Sequence, residues 1–137
     1  MNHASARALI QPFYDLLTRP ATKDVAAIVH ALTRPDWRSY SGDEVSKTRE
    51  QFIAQVGGFG KAIPDLTWTI RELFVDGDRV IVRSTATGTP AGEFMGVAHS
   101  GRSFAIMTID VHTIVEGKLA LAHHVEDWAG AIRQLAG

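Results

Sequence analysis

Near the end of the 137-residue chain, Ile109-Asp110-Val111-His112 is followed, after Glu116-Gly117-Lys118, by His123-His124-Val125-Glu126-Asp127-Trp128. Alternating residues of a strand point to one side. Asp110 and His112 therefore share a face, and so do His123 and Asp127. A short turn at Glu116-Gly117-Lys118 would make the two segments antiparallel neighbours. If the two faces coincide, one surface carries an acid/base cluster in an otherwise apolar chain. A carboxylate in an apolar pocket has its pKa raised by desolvation. It becomes a stronger base and holds a proton near neutral pH. A histidine beside it can orient it, shuttle a proton or hydrogen-bond a substrate carbonyl.

Each of these residues also has a plainer use. Asp127 directly precedes Trp128-Ala129-Gly130-Ala131, where an aspartate caps a helix. His112 can be a buried histidine satisfied by Asp110. His123 and His124 point to opposite faces, so only one belongs to a concave site unless a bulge intervenes. Parity with Asp127 selects His123 for the pocket and leaves His124, with Glu126, outside. Asp110, His112 and His123 would make a two-histidine, one-carboxylate set. Their spacing lacks the tight motif of such a site, so no metal is expected there.

The elements that must hold this cluster follow from periodicity. Leu9, Phe13, Leu16 and Leu17 recur at helical spacing within Ala4 to Thr18, with Pro12 marking a kink or a first turn. A second helix opens near Thr22, with Thr22 as its cap, and stops at Pro35. Trp37 to Tyr40 suits a short strand. A third helix opens at Ser46 or Thr48, and Gly57-Gly58 and Gly60 fray its end. From Pro64 the period becomes two. Strands are expected from Leu66, over Val80–Thr87, over Phe104–Val115 and over Leu119–Glu126, with a turn at Asp76-Gly77-Asp78. Pro90 to Gly101 is a long connection that could cover a pocket. Trp128 to Leu135 closes the chain as a helical turn.

Helices followed by antiparallel strands indicate one α+β domain over residues 1–137. The expected form is a cone, a curved antiparallel or mixed sheet with helices from the first 62 residues over its concave face. Such a cavity suits a small molecule. Trp37, Phe59 and Phe94 are candidates for its wall, and Asp110 and His123 for its polar contacts.

Composition narrows the partners. The formal net charge is -1, hydrophobic residues make up 45%, charged residues 21%, and there is no cysteine. Thiol chemistry is excluded, and no Lys/Arg stripe suggests nucleic acid. No apolar run approaches the roughly 20 residues of a membrane span. Met1 to Ser5 lacks the pattern of a secretory signal, so a cytoplasmic location is expected. Met107, Ile109 and Val111 would lie opposite Asp110 and His112, an apolar outer face that a homodimer or larger assembly would cover.

With its motifs, the arrangement resembles the nuclear transport factor two-like (cystatin-like) superfamily, and within it the SnoaL-like polyketide cyclases, also called predicted ester cyclases. The matching text is Gly88-Thr89-Pro90-Ala91-Gly92-Glu93-Phe94-Met95-Gly96-Val97, Ser100-Gly101-Arg102-Ser103-Phe104, Ile109-Asp110-Val111-His112, Glu116-Gly117-Lys118, Asp127 and Gln134-Leu135. The family usually carries Trp at His123 and His-Thr at Pro90-Ala91, and both differences alter the cavity. The resemblance implies Asp127 as the acid/base, His112 beside the substrate and no metal. It implies cofactor-free aldol-type cyclisation or isomerisation of a hydrophobic carbonyl compound. Alternatives are a non-catalytic ligand-binding or oligomerisation module, or water activation as in the epoxide hydrolases of the superfamily.

Overall fold

A computed structural model describes residues 1–137. The element order is α1 (His3–Leu16), α2 (Val25–Leu32), β1 (Thr33–Tyr40), β2 (Ser46–Thr48), α3 (Arg49–Ala62), β3 (Thr67–Asp76), β4 (Arg79–Gly88), β5 (Phe104–Val115), β6 (Lys118–Glu126) and α4 (Trp128–Ala136), with a single 3-10 turn at Pro20–Thr22. The six strands form one sheet in the order β2-β1-β6-β5-β4-β3. The β1–β6 pair is parallel and every other pair antiparallel. This is the α+β architecture that the periodicity implied. From the first half of the chain the sheet also recruits β1, longer than the short strand expected at Trp37 to Tyr40, and β2, which periodicity does not show.

Local chemistry explains the helix ends. Asn2 and Ser5 form a reciprocal capping box on α1, and Thr48 and Gln51 do the same on α3. These bonds satisfy orphan N–H groups of the first turn. α1 continues through Pro12, which lies inside the helix and not in its first turn. α2 is capped by Asp24, which accepts the Ala27 N–H, and not by Thr22. α3 does not fray at its glycines but continues to Ala62. A Cβ on Gly60 would come within 2.9 Å of the Ala21 backbone nitrogen, so glycine there permits close contact between α3 and the 3-10 turn.

The alternation of β5 is nearly complete. Phe104, Ile106, Thr108, Asp110, His112 and Ile114 are buried, while Ala105, Met107, Ile109 and Val115 are exposed. The buried face meets α1, α2 and α3 in a core containing Ile10, Phe13, Tyr14, Val29, Trp37, Phe52, Val56, Val80 and Val82. A second cluster, with Ile63, Leu66, Phe94, Phe104, Ile106, Ala131 and Leu135, packs α4 and the 89–103 connection against the other end of the sheet.

The β5–β6 turn has two residues, Glu116 (φ 52) and Gly117 (φ 75). Positive φ at both positions matches the twist of a tight hairpin. Val115 pairs with Lys118 and Ile114 with Leu119, then the register shifts and Thr113 pairs with Leu121. Ala120 is the extra residue of a β-bulge. Beyond it Asp110 pairs with His124 and Thr108 with Glu126.

Candidate active site

A cavity of ≈ 70 Å³ lies between the sheet and the helices. Phe13 of α1, Leu17 just past its end, Phe52, Val56 and Phe59 of α3, Trp68 of β3 and Trp128 of α4 are among its apolar lining residues. Its polar lining comes from Ser39, Gln55, Asp110, His124 and Glu126.

Asp110 is only 6% exposed. Tyr14 donates its hydroxyl to Asp110 Oδ2 at 2.6 Å. The other oxygen, Oδ1, has no protein partner and is not sealed off, so it opens into the cavity. Burial pushes the carboxyl up from 3.8 to about 7. The Tyr14 hydrogen bond and the His124 charge pull it down, and Glu126 pushes it further up. Desolvation penalises the ionised form, whereas a donor bonded to it favours it.

His124 Nδ1 bonds Glu126 Oε2 at 2.6 Å. That bond is the main cause that raises the His124 pKa above its ordinary value. Burial opposes it, the charges of Glu126 and Asp110 add to it, and Lys47 opposes it. Trp128 donates its indole N–H to Glu126 Oε1 at 3.3 Å. His124 Nε2 is left without a partner and is not sealed off.

Behind Asp110 the Tyr14 hydroxyl also lies 2.8 Å from His112 Nε2. His112 is 0% exposed and does not line the cavity. Burial, with the His124 charge, lowers it from 6.5 to about 3, so it is neutral. Burial and Asp110 hold the Tyr14 hydroxyl far above its ordinary pKa, so it keeps its proton.

Asp110, His124 and Glu126 each offer one donor atom within 4.8 Å of the others. The His124 Nδ1–Glu126 Oε2 bond already occupies one atom of two of them. The arrangement suits moving protons.

The SnoaL-like polyketide cyclase family model matches residues 8–135. The chain belongs to this family. Among curated protein sequences none matches it. Solved structures do. TsrD from Streptomyces laurentii is 27% identical, with 100% of this chain and 99% of that one covered and a TM-score of 0.83. AclR from Streptomyces galilaeus is 26% identical over 98% of this chain and 86% of that one, also at 0.83. IdmH from Streptomyces antibioticus is 23% identical over 98% and 100%, at 0.82, a likeness of fold.

Within this SnoaL-like fold, the structure brings together some of the residues singled out from the sequence and separates others. Asp110 and Phe59 line the cavity. Asp127 is exposed, and its Oδ1 accepts the Gly130 N–H at 2.9 Å as the cap of α4. The expected Asp127–His112 meeting in one cavity is therefore corrected. His123 is also exposed and stacks on Tyr40, ring centres 5.0 Å apart. The bulge at Ala120 is the reason, because one extra residue reverses which side chains of β6 face inward. Trp37 is buried in the core against Phe13 and Phe52 and does not reach the cavity. Phe94 packs on Phe104 and Trp128 and supports the wall from behind. Its loop covers the second cluster and does not form a lid over Asp110.

Reading the sequence missed Tyr14, His124 and Glu126. Tyr14 carried a signal. A tyrosine in the buried stripe with Ile10, Phe13 and Leu17 needs a partner for its hydroxyl, and the acid/base strands were the nearest source.

Proposed function

We propose that this SnoaL-like protein is a small-molecule cyclase or isomerase that uses its own side chains for acid/base chemistry on a hydrophobic carbonyl compound. Asp110 is the acid/base. The observation that carries the reading is its placement: a buried carboxyl, held on one oxygen by Tyr14 and open to an aromatic-walled cavity on the other. With its carboxyl pushed up to about 7, Asp110 both accepts and returns a proton near neutral pH.

In the proposed reaction, ionised Asp110 takes a proton from the carbon next to a substrate carbonyl. The C–H pair moves to the carbonyl oxygen, giving an enolate. His124, whose charged form Glu126 favours, donates from Nε2 to that oxygen. A fixed donor aimed at developing charge in a water-poor site is a large source of rate. In cyclisation the enolate carbon attacks a second carbonyl of the same molecule, and the new alkoxide takes back the Asp110 proton. In isomerisation the proton returns to a different carbon.

The aromatic walls favour a flat apolar substrate. The enclosed volume of ≈ 70 Å³ is smaller than the ~150 Å³ of an apolar cavity that holds one benzene. The cavity therefore takes the reacting end, and the rest of the substrate extends through the mouth.

Solvent deuterium exchange into the α-carbon of an aryl methyl ketone, followed by proton NMR, tests the reading. The wild type accelerates exchange, and Asp110→Asn loses on the order of 10²–10⁴ of that acceleration. Equal exchange with Asp110→Asn overturns Asp110 as the base.

A further inference from the structure

The chain Asp110–Tyr14–His112 contains one more constraint, which rests on Asp110 being the acid/base. We propose that Tyr14 and His112 together reserve Asp110 Oδ2 as a permanent acceptor, so that the exchangeable proton is carried only on Oδ1, the oxygen open to the cavity. Tyr14 and His112 are then positioning residues: neither touches substrate, and both decide from which atom Asp110 works.

The argument is a count of protons. When Asp110 is ionised it can only accept, so Tyr14 must donate to Oδ2 across the 2.6 Å contact. The hydroxyl has one proton, so at its 2.8 Å contact it can only accept from His112. Neutral His112 therefore carries its proton on Nε2, and Nδ1 is a bare lone pair. Nδ1 has no partner in the structure.

Protonation of Asp110 has two outcomes. A proton on Oδ1 changes nothing behind it. A proton on Oδ2 must donate to the Tyr14 oxygen, and the hydroxyl must then turn toward His112 Nε2. His112 must in turn move its own proton to Nδ1, where it would be a buried N–H with no acceptor. The only escape leaves the Tyr14 hydroxyl proton itself without an acceptor. A buried unsatisfied donor is heavily penalised, so the Oδ1 route wins.

The packing holds this arrangement in place. Phe13 meets the His112 ring edge-on at 5.1 Å, and Tyr14 meets it at 5.9 Å and 83°. His112 is fully buried, so no solvent competes with Tyr14 for Nε2. The titratable and charged groups around Asp110 are Tyr14 from α1, His112 from its own strand, and His124 and Glu126 from β6. Lys47 of β2 acts on His124. Apart from Tyr14, none of these makes a hydrogen bond to Oδ2.

The consequence for the reaction is directional. A proton taken from substrate stays on the cavity oxygen and is returned from the same atom, without passing into the protein.

Nitrogen-15 NMR of the His112 ring, recorded while the Asp110 carboxyl is titrated by carbon-13 NMR, reads the proposal without reference to activity. The Nε2–H form is expected on both sides of the Asp110 titration. A switch to Nδ1–H as Asp110 takes its proton overturns the proposal. In Tyr14→Phe the Asp110 titration is expected to move up by about one unit or more, because a donor to the ionised form is lost. The rising limb of the exchange-rate pH profile should move with it. An unmoved Asp110 titration in a folded Tyr14→Phe also overturns the proposal. Failure of the catalytic reading looks different: Asp110→Asn keeps full exchange activity while the His112 form stays fixed.

Discussion

Asp110 and His124 are directly paired across the β5–β6 ladder, and their side chains emerge together into one cavity. Directly opposite residues of an antiparallel pair have Cβ atoms about 5 Å apart. A carboxyl that holds a proton near neutrality thus stands beside an imidazole whose charged form Glu126 favours. A substrate carbonyl entering the cavity meets both at once.

The unmatched residue can be removed without changing this pairing. Deletion of Ala120 would leave Leu119 opposite Ile114 and bring Leu121 beside it opposite Thr113, so His124 stays opposite Asp110. His124 and Glu126 would still face inward. Exchange activity is therefore expected to survive the deletion. A hundredfold loss in a folded deletion variant would show that the site needs the bulge itself.

Asp127 is predicted to matter for stability and not for turnover. Its carboxylate caps α4 through the Gly130 N–H. Asp127→Ala should cost about 1 kcal/mol, and Asp127→Asn much less, since Asn caps about as well. Both should keep turnover within a few-fold of the wild type. A hundredfold loss in Asp127→Asn with the fold intact by circular dichroism would return the acid/base role to Asp127.

Asp110 and His112 should pull the pH dependence of stability in opposite directions. Asp110 rises from 3.8 unfolded to about 7 folded. Its contribution is complete below pH 3.8 and is lost as pH climbs through about 7. His112 falls from 6.5 to about 3. Its contribution is complete above pH 6.5 and is lost as pH drops through about 3. Each slope is about 1.4 kcal/mol per pH unit, so the two nearly cancel from roughly pH 4 to 6.5. Asp110→Asn, which still offers Tyr14 an acceptor, should expose the His112 slope, with stability falling as pH is lowered from 6.5. Urea unfolding across that range reads it, and a flat profile for the variant would count against the His112 shift.

The outer face of the sheet should bind a second copy of the chain. Met107 is 53% exposed, Ile109 39% and Val125 62%. Ile109 is paired with Val125, so the exposed groups are contiguous, and Val111 continues the row. Patches of this kind usually mark interfaces. Light scattering at micromolar concentration should give a dimer or larger assembly for the wild type and a smaller species for Ile109→Lys. A monomeric wild type would overturn this expectation.

The residue order by itself determined the elements. Period-two alternation from Leu66 onward and helical spacing at Leu9, Phe13 and Leu16 depend only on neighbours along the chain, and so do the cap at Thr48 and the turn at Glu116-Gly117. The burial of Asp110 and His112 was legible as well, because they alternate with Met107, Ile109 and Val111. The match from Gly88 to Gln134 was enough to place the chain in its family.

Only the tertiary structure decided which residues of β6 enter the cavity. A count back from the two-residue turn pairs Asp110 with His123. The unmatched Ala120 shifts that pairing by one, and a one-residue slip turns every later side chain to the other face. Nothing in Lys118-Leu119-Ala120-Leu121 marks the bulge, since any of these residues fits a strand. Tyr14 is the second case. Its partner lies 96 residues away, so the bond exists only once α1 crosses the sheet. The local pattern shows that such a hydroxyl needs a partner, and long-range packing selects Asp110.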